Sequence, residues 1–207
     1  MSLTLLGQAN AESPPAEFRD LIEFSKNRSV TIKEIDEKLA PIVWRDTTKD
    51  ADGLLIVQRK PEFLKIIDEF RQRLAITNHS PGDICDVRTR RIGRLDESIN
   101  RKSVLLELIE HRTQALVTVW NFQLDGAKIV LFSDFLNSNF DGIRGTLSIA
   151  IAKEVPHQTI WKATWIEREL QYEVYIHDAL ATDGRPIMAK ADVLEFTMLS
   201  ARSKCLD

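Results

Sequence analysis

"TIWKATWIERELQYEVYIH", residues 159–177, carries repeated alternation of apolar and polar side chains, as from Leu170 to Val174. A period of two is the signature of a half-buried strand, because successive side chains point to opposite faces of a sheet. Strand patterns also run through "ALVTVWNFQL" (115–124), "AKIVLFSDFL" (127–136) and "GTLSIAIAKE" (145–154), and "RPIMAKADVLEF" (185–196) is the last candidate. Asp125-Gly126 is a two-residue hairpin signal, since the favoured turn needs positive φ at its central positions, and Asp183-Gly184 sits similarly ahead of Arg185-Pro186. Strands joined by such short connections pair antiparallel, because a parallel pair needs a crossover of about a dozen residues or more. The stretch 113–200 therefore predicts an antiparallel meander.

Upstream the period is helical. Phe18, Leu21, Ile22 and Ser25 share one face after Pro14-Pro15. Thr31-Ile32-Lys33-Glu34 fits a capping box, and Ile32, Ile35, Leu39, Ile42 and Val43 continue it as a helix ending near Trp44. Pro61 suits a first helical position, and Phe63, Ile66, Ile67, Phe70 and Leu74 form the clearest stripe. The expected fold class is α+β: N-terminal helices (13–80) packed on a C-terminal antiparallel meander sheet (113–200). A mixed basic segment (81–112) separates them, all within a single domain 1–207.

With 207 residues, 43% hydrophobic and 29% charged, the composition is that of an ordinary globular chain. A net charge of −3 argues against wholesale attraction to nucleic acid, and no stretch approaches the roughly 18 apolar residues of a membrane span. Cys85 and Cys205 form no close-spaced metal or redox motif and read as two separate thiols. The expected location is the cytoplasm. Export is the alternative, if Ala9-Asn10-Ala11 is the small-residue remnant of a longer signal peptide.

"DVRTRRIGRL", residues 86–95, gathers four arginines in a chain that is acidic overall. Strict alternation puts Arg88, Arg90 and Arg94 on one face with Ile92, and Val87, Arg91 and Leu95 on the other. Guanidinium forks suit carboxylates and phosphates, so such a row, extended by Arg112, is the candidate ligand-binding set. The competing explanation is a solvated strand face paired with local carboxylates. Glu167, Glu169, Glu173 and His177 fall on one face of the long alternating stretch and are the candidate catalytic groups, as carboxylates near a histidine can do general acid and base work.

His79, His111, His157 and His177 are scattered, so neither a metal nor a cofactor is expected. Gly142 and Gly145 in "FDGIRGT" are spaced unlike a phosphate loop and are expected to turn the chain. A single-stranded nucleic-acid role, stacking bases on Trp161 and Trp165, ranks last because the basic footprint is missing.

"YEVYIHDALATDGRPIMAKADVLEF", residues 172–196, resembles the closing hairpin of chorismate lyases and of related effector-binding domains of transcription factors, in which a D/S-G-x-P-I turn precedes a strand. Asp183, Gly184, Pro186 and Ile187 match that turn; the acidic residue expected further on has only Asp192 or Glu195, out of register. The resemblance implies a buried pocket in which arginines hold a carboxylate. The same segment is similar to strands of hotdog-fold acyl-thioester enzymes, which wrap a sheet around a helix.

The leading expectation is a non-catalytic domain that binds an anionic small molecule or an acidic protein partner through an arginine-rimmed sheet face. An enzyme acting on a small carboxylate or acyl substrate in a sheet-helix pocket is the alternative. An uncovered sheet face would also suit a homo-oligomer.

Overall fold

The computed structural model describes residues 29–38, 40–58, 83–110, 113–151 and 158–206. The stretch 159–177 is a hairpin and not one strand. β11 (Gln158–Glu167) and β12 (Leu170–Ala179) pair antiparallel, and Glu167 opposite Leu170 closes a two-residue turn at Arg168-Glu169. Arg168 takes φ 56°, the left-handed region that tight hairpin turns demand and non-glycine residues seldom adopt.

Ten more strands and this hairpin account for most of the described chain: β1 (Val30–Lys33), β2 (Thr47–Lys49), β3 (Leu55–Gln58), β4 (Asp83–Ile84), β5 (Thr89–Glu97), β6 (Arg101–Leu108), β7 (Thr113–Asn121), β8 (Ile129–Phe132), β9 (Ser138–Phe140) and β10 (Ile143–Ile151). One sheet runs in the order β2-β3-β10-β11-β12-β7-β6-β5-β4, with β9 also paired to β10. It is two antiparallel runs, β4 to β7 and β9 to β12, joined where β7 meets β12. β3 lies parallel to β10, and β1 pairs parallel with β8 as a separate ribbon. Both sheet edges end in very short strands, which limits the free backbone groups open to another chain.

The helix α2 (Lys190–Ala201) covers one sheet face; α1 (Ala40–Val43) is a single turn. Val193 and Phe196 of α2 join Val104, Leu106, Val117, Leu147, Ile149, Trp161, Trp165, Val174 and Ile176 in the main core. On the same face Trp165 stacks between Phe140 and Tyr172, at 4.7 and 5.0 Å between centroids. The opposite face holds a smaller cluster of Leu105, Leu116, Ile160 and Tyr175, and a third cluster packs Val30, Phe122 and Ile166 with Ile129 and Leu131 of β8. Burying each large aliphatic side chain contributes about 1.5–3 kcal/mol, so these layers supply the main drive for folding.

The expected α+β class with N-terminal helices packed on a sheet is corrected: the described chain is mostly sheet, 53% strand against 14% helix, and its one long helix follows the sheet. The helix expected over 32–43 begins as β1. Val30, Thr31 and Ile32 are consecutive β-branched residues, and pairing with Ile129, Val130 and Leu131 outweighs the capping box. The helices expected at 18–25 and after Pro61 lie outside the described residues. Asp125-Gly126 closes no two-residue hairpin, because β8 leaves the sheet for β1. That geometry belongs to Asp141-Gly142, between β9 and β10.

The strand expected over 185–196 is largely α2. Pro186 makes one bridge with Leu180, and Val193, Phe196, Thr197 and Ser200 then recur on one buried helical face. The turn matching the lyase pattern thus precedes a helix and not the strand that the resemblance implies. Cys85 and Cys205, read as separate thiols, form a disulfide across 120 residues of sequence.

Candidate functional site

The register of β11 and β12 sets Lys162 opposite Tyr175 and Thr164 opposite Glu173, so all four side chains share one sheet face. On the adjoining strands Thr146 and Ser148 of β10 and Leu55 and Val57 of β3 continue that face. Above it pass β8 and the 3-10 turn Ser133–Phe135. Floor and roof enclose a cavity of about 480 Å3, with Val130, Leu131, Phe132, Phe135 and Leu136 as its apolar roof.

The roof is tied down at several points. Asn137 donates to the carbonyls of Gly53 and Leu147 at 2.9 and 2.8 Å and accepts the Leu147 N–H at 2.8 Å. Lys49 Nζ donates to the Asp134 carbonyl at 2.9 Å, and Trp44 meets Phe135 edge to face at 4.8 Å.

Three polar groups interact on the floor. Lys162 Nζ lies 2.7 Å from Glu173 Oε1, the Tyr175 hydroxyl donates to Glu173 Oε2 at 3.1 Å, and Nζ sits 5.1 Å from the Tyr175 ring centre. The Lys162 and Glu173 side chains are 25% and 20% exposed, enough for a ligand to reach them and little enough for their charges to be weakly screened. Burial alone would lower the Lys162 proton affinity, but the Glu173 carboxylate and the Tyr175 oxygen outweigh it and raise the pKa above its ordinary value. Burial raises Tyr175 too, and Glu173 adds to the rise although Lys162 opposes it. Both groups therefore keep their protons at neutral pH and act as hydrogen-bond donors.

Among the expected catalytic groups, only Glu173 lines this cavity. Glu167 pairs with Leu170 on the opposite face, Glu169 is in the turn, and His177 lies two residues beyond Tyr175, opposite Ile160. Lys162 and Tyr175 escape a single-strand reading. Their signal is a lysine and a glutamate at diagonal positions across Arg168-Glu169, with Tyr175 mirroring Lys162, legible once that pair is taken as a turn.

The arginines of 86–95 do not form a row. Arg88 pairs with Glu195 of α2 at 3.1 Å, Arg90 Nε donates to Glu107 Oε2 at 2.8 Å, and Arg91 lies 2.8 Å from Asp83. Register shifts between Arg91 and Gly93 and between Arg94 and Asp96 break the alternation: Arg90 stands opposite Glu107, but Arg94 stands opposite Val104. The Arg94 side chain and Arg112 lie outside what is described. Trp161 and Trp165 are buried, so neither offers a face to a base.

Among the described residues no group of three His, Cys, Asp or Glu side chains could hold a metal ion, and no helix is long and apolar enough to cross a membrane. The chain matches no family model, no curated protein and no solved structure.

Proposed function

We propose that the protein is a binding domain for an anionic, amphipathic small molecule, seated in the cavity beneath β8 and not on the row of arginines. The observation that carries this is the Lys162–Glu173–Tyr175 group on the floor of a cavity whose apolar walls are Leu55, Val57 and the roof from Val130 to Leu136. Pockets that hold small molecules combine such walls with a few convergent polar groups that fix orientation. The apolar part of the ligand packs against Leu55, Val57, Phe132 and Phe135, and its carboxylate-type head accepts from Lys162, which still has donors beyond the one spent on Glu173.

Binding is favoured over catalysis by the direction of the proton affinities. A general base or an activated nucleophile needs a proton affinity moved toward neutrality, whereas Lys162 and Tyr175 move away from it. An enzyme of the carboxylate or acyl class would rest on Glu173 alone. The Cys85–Cys205 disulfide favours an exported location over the cytoplasm, because such bonds persist in oxidising compartments.

Calorimetric titration with decanoate and with decanol tests the assignment. Decanoate is expected to bind more tightly, and Lys162→Met to weaken it by about tenfold or more, the value of a charge-assisted hydrogen bond. Equal affinity for the acid and the alcohol, or an unchanged Lys162→Met variant, would refute the charged seat.

A further inference from the structure

The floor of the cavity beneath β8 presents both signs of charge at one spot. Lys162 Nζ lies 2.7 Å from Glu173 Oε1, an oxygen that also accepts from Gln171 Nε2 at 3.4 Å. Glu173 Oε2 accepts the Tyr175 hydroxyl at 3.1 Å. A carboxylate oxygen has two lone pairs, so Oε2 keeps room for a second donor. The Lys162 ammonium has three N–H groups, and one remains after those directed at Glu173 and Tyr175.

Among the described residues that line this cavity Lys162 is the only cation, and it already stands against the only carboxylate. A ligand carboxylate that accepts from Lys162 therefore meets Glu173 as well. Two oxygens held by separate N–H groups of one tetrahedral ammonium, each about 2.8 Å from the nitrogen, lie about 4.6 Å apart. At that distance two carboxylates repel, the more so where both are partly withdrawn from water. One lysine neutralises one of these charges and leaves the other uncompensated. A ligand that brings its own positive charge to Glu173 keeps the seat neutral.

We infer that the head of the ligand is zwitterionic: an α-amino acid with a long apolar side chain, whose carboxylate accepts from Lys162 and whose ammonium donates to Glu173 Oε2. The inference rests on the binding role proposed for this cavity and narrows its ligand. An α-amino acid carries its two charges on one carbon, close enough together to face an ion pair as tight as Lys162–Glu173. Thr146 and Thr164 are register partners on β10 and β11, and Ser148 stands opposite Lys162, so three hydroxyls that can donate or accept surround the same spot. The apolar chain then lies along Leu55, Val57, Phe132 and Phe135.

Calorimetric titration of 2-aminodecanoate, decanoate and decanol into the intact, oxidised protein at pH 7 tests this. The amino acid is expected to bind about tenfold more tightly than decanoate, the value of one charge-assisted hydrogen bond. Glu173→Gln keeps the side-chain shape and an acceptor for Tyr175 but removes the negative charge. It is expected to weaken 2-aminodecanoate by about tenfold and to leave decanoate bound as tightly as before or more tightly. The zwitterion assignment is overturned if the parent binds decanoate as tightly as the amino acid, or if Glu173→Gln weakens both ligands equally; the first comparison needs no variant to fold. A preference for decanoate over decanol with no gain for the amino acid sinks this inference alone. Acid and alcohol bound alike sinks the charged seat itself, and this inference with it.

Discussion

A Cβ on Gly145 would come within 2.4 Å of the Thr164 carbonyl oxygen and 2.8 Å of Phe140 Cε2 and Trp165 Cβ. β10 and β11 meet tightly there because the Phe140–Trp165 stack sits against the strand. Gly145→Ala must push backbone against backbone, and the expected cost is about 1–3 kcal/mol. A urea titration would show it as a lower midpoint with an unchanged slope. An unchanged midpoint would mean that the strands separate without cost. Gly145 looked like a turn glycine because another glycine stands three residues before it. Only the aromatic neighbours brought to it by pairing reveal its role. Glu173, by contrast, was visible as a carboxylate on an alternating strand, whereas Lys162 became visible only as its partner across a turn.

The segments were legible where local pattern and long-range pairing agree, as in β7, β10, β11 and β12. They were misread where the two compete: β1 carries a capping-box sequence yet pairs with β8, almost a hundred residues away. α2 was missed although its buried positions have helical spacing, because the turn before it suggested another hairpin.

The segment leading into β5 and the one following α2 form a polar clasp that no local pattern signals. Asp86 accepts the Arg88 and Thr89 N–H groups at 2.8 Å each and the Thr89 hydroxyl at 2.6 Å. Since Thr89 gives its proton to that carboxylate, Ser203 must donate to Thr89, at 2.7 Å, and it also accepts the Cys205 N–H at 3.1 Å. Burial would raise the Asp86 pKa, but the hydrogen bonds from Thr89 and the neighbouring backbone N–H groups outweigh it and hold it below 3.8. A carboxylate depressed in the folded state stabilises above its unfolded value and loses that contribution as pH falls through the folded one. Melting temperatures followed downward from pH 5 should therefore drop less in Asp86→Asn than in the parent. Parallel curves would leave Asp86 without a part in acid sensitivity.

Across the whole molecule, the sequence conveys a sheet-rich second half and an uneven spread of positive charge, but not how that charge is distributed in space. Arg88, Arg90 and Arg91 are answered one by one by Glu195, Glu107 and Asp83, each reached through a different contact: a helix, a neighbouring strand and an edge strand. Lys102 and Lys204, which no sequence window joins, border one cleft because α2 folds back over β6 and β7. The same return places Cys205 beside Cys85.

That covalent link makes a ring from residue 85 to residue 205, with β5 to β12 and α2 inside it and β1 to β4 outside. In a molecule stretched between its two ends the covalent load path runs through sulfur, so the chain from residue 86 to residue 204 cannot be drawn out while the bond is intact. With 120 residues bypassed, and about 3.3–3.6 Å of reach per residue, the fully extended oxidised chain falls short of the reduced one by about 400 Å. Single-molecule pulling with and without dithiothreitol measures that difference directly, and equal contour lengths would mean that the ring is open in solution.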